Sequence, residues 1–195
     1  AGIDTTNFAV SSTDAPTKTR DANNNGVASF TTANSYLATA TSYDFTTTVR
    51  PVYVAAMWTP DPAAGGATLA GFSIATRATT ADLTGGTDTF NGNGITFRFD
   101  SRTAANISAG AGTANTVSIR ENVGGELANS GASTYQLITG EPYLLEVYDN
   151  GTDVWMRITQ RDDSTNTLTL TTTTSADQAG DQRIVFINGT ATDSY

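Results

Sequence analysis

The sequence predicts an all-β protein, an antiparallel sandwich of short strands, on three observations. Thr makes up 37 of the 195 residues against a single Lys, and β-branched side chains suit a pleated, half-buried surface better than a helix. From Val27 onward, short apolar runs alternate with turn-forming residues every 8–15 positions, the rhythm of hairpins in a sandwich or barrel. No window of twelve residues carries a 3.6-residue apolar period free of Gly or Thr clusters, so no ordinary amphipathic helix is expected. Thr79-Thr80-Ala81-Asp82-Leu83 has room for one helical turn.

The expected strands follow in order. Val27–Phe30 and Ser35–Ala38 are two short ones. Val52–Trp58 is stopped by Thr59-Pro60-Asp61-Pro62, since Pro cannot donate to a ladder. Ala70–Thr76 alternates Phe72 and Ile74 with small residues, and Ile95–Asp100 alternates Ile95, Phe97 and Phe99 with Thr96, Arg98 and Asp100. Val117–Arg120 alternates Val117 and Ile119 with polar residues. Tyr143–Tyr148 and Val154–Gln160 flank a tight turn, Thr167–Thr172 alternates Leu168 and Leu170 with Thr, and Arg183–Ile187 comes last, before Asn188-Gly189.

A chain of this length fits one domain. Residues 1–25 are polar and turn-rich and read as an N-terminal arm or first strand; residues 26–195 form the sandwich. Charged residues are 15% and hydrophobic ones 38%, too apolar and too weakly charged for a disordered chain. There is no Cys and no His, which removes disulfides, thiolate and imidazole metal sites, Ser-His-Asp triads and Cys nucleophiles. The net charge of −9 argues against nucleic acid and anionic membranes as partners, because both need a basic surface. No stretch is apolar and long enough for a transmembrane helix. Ala1-Gly2-Ile3-Asp4 lacks a charged n-region, so no signal peptide is expected there.

The most informative element is the hairpin around Asp149-Asn150-Gly151-Thr152. Asn-Gly is the strongest signal for a two-residue turn with both corners at positive φ. With those corners, Val147 faces Val154, Leu145 faces Met156, Glu146 faces Trp155 and Leu144 faces Arg157. One face then carries Tyr143, Leu145, Val147, Val154, Met156 and Ile158, which is core. If the next strand returns over Arg161–Thr165, Leu168 and Leu170 lie beside Ile158 and Met156.

The opposite face carries Leu144, Glu146, Tyr148, Trp155 and Arg157. Rings flanked by a carboxylate and a guanidinium suit a sugar: the ring packs on C–H groups while the charged groups bond hydroxyls. The competing reading is that a loop or another strand covers this face and Trp155 is core, since large aromatics are usually buried.

Three segments together resemble the concanavalin A-like jelly roll, in particular its laminin G-like branch. Gly26-Val27-Ala28-Ser29-Phe30-Thr31-Thr32-Ala33-Asn34-Ser35-Tyr36-Leu37 is similar to that family's opening strand pair, with Thr31-Thr32 where Asp-Gly is common. Phe45 through Trp58 is similar to the next pair, and Leu144 to Ile158 to a later strand–turn–strand. The resemblance spans residues 26–190 and implies an antiparallel jelly-roll sandwich of the kind found in lectins, glucanases, polysaccharide lyases and phage or bacterial surface proteins. Fold alone does not settle function.

Catalysis is not expected. The glucanases of this fold carry Glu-x-Asp-x-x-Glu on one strand, and that motif is absent: the four Glu are Glu121, Glu126, Glu141 and Glu146. The lyases use Tyr and His, and His is missing. Asp21-Ala22-Asn23-Asn24-Asn25-Gly26 matches the first half of a calcium loop, with Asp21, Asn23 and Asn25 as oxygen ligands, but position twelve is Thr32 rather than Glu. The alternative is an Asx-rich turn; calcium at the rim is what the laminin G-like resemblance implies. Sequons stand at Asn106, Asn150 and Asn188, and Asn150 is explained by its turn. The expected function is a non-catalytic carbohydrate-binding or adhesion module, extracellular or displayed on a cell surface or virion. The alternative is a structural subunit that self-associates or binds virion partners.

Overall fold

Two antiparallel sheets stack with their apolar faces inward. The computed structural model describes residues 8–10, 17–20, 26–29, 36–39, 51–59, 71–78, 94–100, 117–121, 125–129, 135, 138, 140–174 and 183–188. The strands are β1 (Phe8–Val10), β2 (Thr17–Arg20), β3 (Gly26–Ser29), β4 (Tyr36–Thr39), β5 (Val52–Trp58), β6 (Gly71–Ala78), β7 (Ile95–Asp100), β8 (Val117–Glu121), β9 (Gly125–Asn129), β10 (Tyr143–Asp149), β11 (Asp153–Gln160), β12 (Asp163–Thr173) and β13 (Arg183–Asn188). The larger sheet runs β1-β4-β13-β6-β7-β8-β9, the smaller β12-β11-β10-β5, and β2-β3 form a separate ribbon. The expected all-β sandwich is what forms. Thr79–Leu83 lies outside the described residues.

Each core strand buries the residues its alternation marks. Val52 and Trp58 of β5, Tyr143, Leu145 and Val147 of β10, and Val154, Met156 and Ile158 of β11 meet Phe72, Ile74, Ile95, Phe97, Phe99, Val117 and Ile119 of the larger sheet. Trp58 is the hinge of this packing. Its ring stacks on Phe72 at 5.7 Å and tilts against Phe99 at 6.4 Å, arrangements that add to the area buried. Leu168 lies beside Ile158 and Leu170 beside Met156, as expected.

The hairpin register differs from the expected one. Asp149 pairs with Val154, Tyr148 with Trp155, Val147 with Met156, Glu146 with Arg157 and Leu145 with Ile158. The corners are Gly151 and Thr152 rather than Asn150 and Gly151. Two groups move the reversal by one residue, and every partner therefore by two. Asn150 turns its side chain into the loop, its Oδ1 accepting from the N–H groups of Thr152 and Asp153 at 2.9 and 2.7 Å. Asp149 points inward and accepts from the Gly151 N–H at 2.9 Å. Gly151 takes φ of 100°, a region glycine enters without a Cβ penalty. A shift of two preserves the alternation, so both faces keep the residues assigned to them.

Asp149 is held by a buried clamp from the other sheet. Arg77 donates to its two oxygens at 2.9 and 2.6 Å, with both side chains fully buried. The Thr76 hydroxyl donates to the same carboxylate at 2.6 Å. Arg77 adopts φ of 59°, an unusual conformation for a non-glycine residue. A Cβ on Gly94 would stand 2.8 Å from the Thr76 carbonyl oxygen, so only glycine lets this backbone pack so closely.

Candidate functional site

The candidate site is the outer face of the four-stranded sheet, and strand register fixes who stands beside whom. One row across the sheet is Tyr53, Tyr148, Trp155 and Thr171; the next is Ala55, Glu146, Arg157 and Thr169; the third is Met57, Leu144, Thr159 and Thr167. Sequence reasoning placed Glu146, Tyr148, Trp155 and Arg157 on one face, and the structure brings all four together. It corrects their pairing: Glu146 faces Arg157 and Tyr148 faces Trp155.

That pairing determines the electrostatics. Arg157 donates through Nε to Glu146 Oε2 at 2.6 Å and through Nη2 to Oε1 at 2.7 Å. Such two-point pairing of guanidinium with carboxylate is both strong and directional. The Tyr53 hydroxyl donates to Glu146 Oε1 at 2.5 Å. The Arg157 hydrogen bonds hold the Glu146 carboxyl below its ordinary range, with the Tyr53 hydroxyl adding to the effect and burial opposing it. The same contacts raise Tyr53, chiefly through its hydrogen bond to Glu146, and raise Arg157. Glu146 is only 5% exposed, whereas the Arg157 side chain is 45% exposed. The carboxylate is thus consumed in orienting its neighbours, and the guanidinium keeps N–H donors at the surface.

The rings form one cluster on this face, separate from the core. Trp155 stacks with Tyr148 at 5.7 Å and 12° and lies tilted against Tyr53 at 6.1 Å. The Arg157 Cζ sits 5.8 Å from the Trp155 ring centroid, within cation–π range. Trp155 is therefore neither a core residue nor a bare ring: it is half-buried at the centre of the group. On the same face of β5, Tyr53 is 55% and Met57 44% exposed. Both were missed from the sequence. The available signal was the alternation in β5, which turns Val52 and Trp58 inward and Tyr53 and Met57 outward; what was lacking was that β5 pairs with β10.

The calcium candidates Asp21, Asn23 and Asn25 lie outside the described residues. Among the described residues no group of three or more acidic side chains could hold a metal ion.

No protein-family model matches the sequence, and no curated protein sequence matches it. The fold does match solved structures. The carbohydrate-binding module CBM66 from Bacillus subtilis superposes with a TM-score of 0.55 at 11% identity over 96% of this chain and 90% of that one. Lectin I from Ulex europaeus, in complex with the methyl glycoside of α-L-fucose, gives 0.62 at 10% identity over 96% and 88%. Lectin II from the same plant gives 0.62 at 10% over 100% and 91%. At these identities the likeness establishes the fold, and that fold is the concanavalin A-like jelly roll.

Proposed function

We propose that this chain is a non-catalytic carbohydrate-binding module whose site is the outer face of the four-stranded sheet. The observation that carries the reading is the exposed Tyr53 ring beside an Arg157 guanidinium that Glu146 holds from below. A sugar presents C–H patches and hydroxyls together. The Tyr53 ring, supported by Trp155 and Tyr148, offers an apolar surface to the first. The Arg157 N–H groups donate to the second. Glu146 acts as a positioning residue, since its oxygens are already engaged. The lectins and the carbohydrate-binding module that share the fold support this reading.

The proposal extends to an extracellular, cell-surface or virion setting, with glycans as partners and calcium at Asp21, Asn23 and Asn25. A glycan-array screen tests it. Binding to a defined set of glycans, lost in Arg157→Ala and Trp155→Ala while both variants stay folded, is the expected result. An array with no ligand, or binding indifferent to both variants, overturns the reading.

A further inference from the structure

The four-stranded sheet has two edges that differ in kind. β5 is seven residues long and preceded by Pro51, with Pro60 two residues beyond its end, and Pro is one of the devices that blunt an exposed edge. β12 is eleven residues long, and from Ser164 to Ser175 the chain contains no charged residue and no Pro. Among the described residues β11 is the one strand that pairs with β12, and the Tyr135 hydroxyl donates to the Asn166 carbonyl oxygen at 3.4 Å. Leu168 and Leu170 face inward and pack against the core, yet both remain partly exposed. A strand added along this edge would cover more of both.

We propose that the occupant of this edge is the β12 strand of a second copy, paired antiparallel about a two-fold axis at Thr169. The sequence of the strand is its own complement about that residue. In the order Thr167-Leu168-Thr169-Leu170-Thr171, reversal about Thr169 sets Leu168 opposite the partner's Leu170 and Thr167 opposite the partner's Thr171. Thr165 likewise meets the partner's Thr173. An isologous contact requires this kind of self-matching, and Thr–Thr and Leu–Leu are favourable cross-strand pairs. The uncharged strand matters in a chain of net charge −9, because two copies meet here without like charges facing each other. The product is a continuous eight-stranded sheet whose outer faces are contiguous. Strand geometry separates the two Trp155 residues by roughly 20 Å, three strand spacings across and four residues along. Two copies of the aromatic cluster then address one extended ligand, which raises avidity without any new contact.

Sedimentation analysis of the full chain tests the dimer. The wild type is expected to associate at roughly 10–100 μM, the range appropriate to a small interface. Thr169→Lys, which sets like charges across the axis, weakens association about tenfold or more. An equimolar mixture of Thr169→Lys and Thr169→Glu restores it. A wild type that stays monomeric through that range, or a Thr169→Lys variant that dimerises as tightly as wild type, overturns the proposal. The register is tested separately, because the chain has no Cys. Thr165→Cys and Thr173→Cys each fail to cross-link alone with a short bismaleimide but cross-link when mixed. Self-cross-linking of either variant contradicts the axis at Thr169.

Discussion

Arg157 stands directly across from Glu146 on the neighbouring strand and grips both of its carboxylate oxygens, at 2.6 and 2.7 Å. The pair makes an acid-sensitive site. Arg157 and Tyr53 hold the folded carboxyl below 4.5, its ordinary value. A depressed carboxyl contributes stability that is whole above that value and lost as pH falls through the folded pKa. Melting temperature and glycan affinity are therefore expected to hold steady from neutral pH to about 4.5 and to fall below it. Glu146→Gln flattens the part of this decline that the site contributes, as pH-dependent melting curves of the two proteins measure.

The buried clamp between Arg77 and Asp149 ties the two sheets together. Arg77→Ala leaves the Asp149 carboxylate buried without its cation, which costs about 3–5 kcal/mol. Arg77→Lys recovers little, because an ammonium cannot reproduce the two-point grip. Urea unfolding midpoints at constant slope give both values. Arg77→Ala combined with Asp149→Ala is expected to cost less than the two single changes added together, since each removes the same pair.

At the hairpin, Gly151→Val forces a β-branched residue to a φ of 100° and is expected to cost about 1 kcal/mol or more. Gly94→Ala sets a methyl group 2.8 Å from the Thr76 carbonyl oxygen. Such crowding in a packed interior costs about 1–3 kcal/mol. Thermal unfolding of the two variants checks both figures.

Calcium at Asp21, Asn23 and Asn25 stabilises the folded chain by mass action if it binds there. Millimolar calcium is then expected to raise the melting temperature, a chelator to lower it, and Asp21→Ala to remove the response. A melting curve indifferent to calcium leaves an Asx turn.

The alternation of apolar residues made most of the sandwich legible, because a strand turns successive side chains to opposite faces, and it held even in β6 and β7, where the intervening Ser73, Thr96 and Arg98 are buried as well. β9 carries one large apolar residue, Leu127, and showed no period; β1 is three residues long and β2 is polar, so residues 1–25 read only as an arm or first strand. The faces of the β10–β11 hairpin were legible, but its register was not. Asn-Gly marks the turn, yet its corners depend on where Asp149 points, and that is decided by Arg77, 72 residues away in the sequence. Four of the site residues were legible because they share one hairpin. Tyr53 joins them only through the β5–β10 pairing, a non-local contact that leaves no trace in local spacing. That pairing and the β10–β11 register together make Glu146 the support for Tyr53 and Arg157 rather than a ligand-facing group.

If the outer face of the smaller sheet binds sugar through Tyr53, calorimetric titration of Tyr53→Ala with a glycan identified on the array will show it. The ring is 55% exposed, so its removal costs little of the burial that stabilises the fold, and the melting temperature is expected to move only slightly. Affinity is expected to fall about tenfold or more, the loss typical of an aromatic anchor, while Tyr53→Phe, which keeps the ring, loses less. A folded Tyr53→Ala variant that binds the glycan as tightly as wild type would mean that this ring is no part of a sugar site.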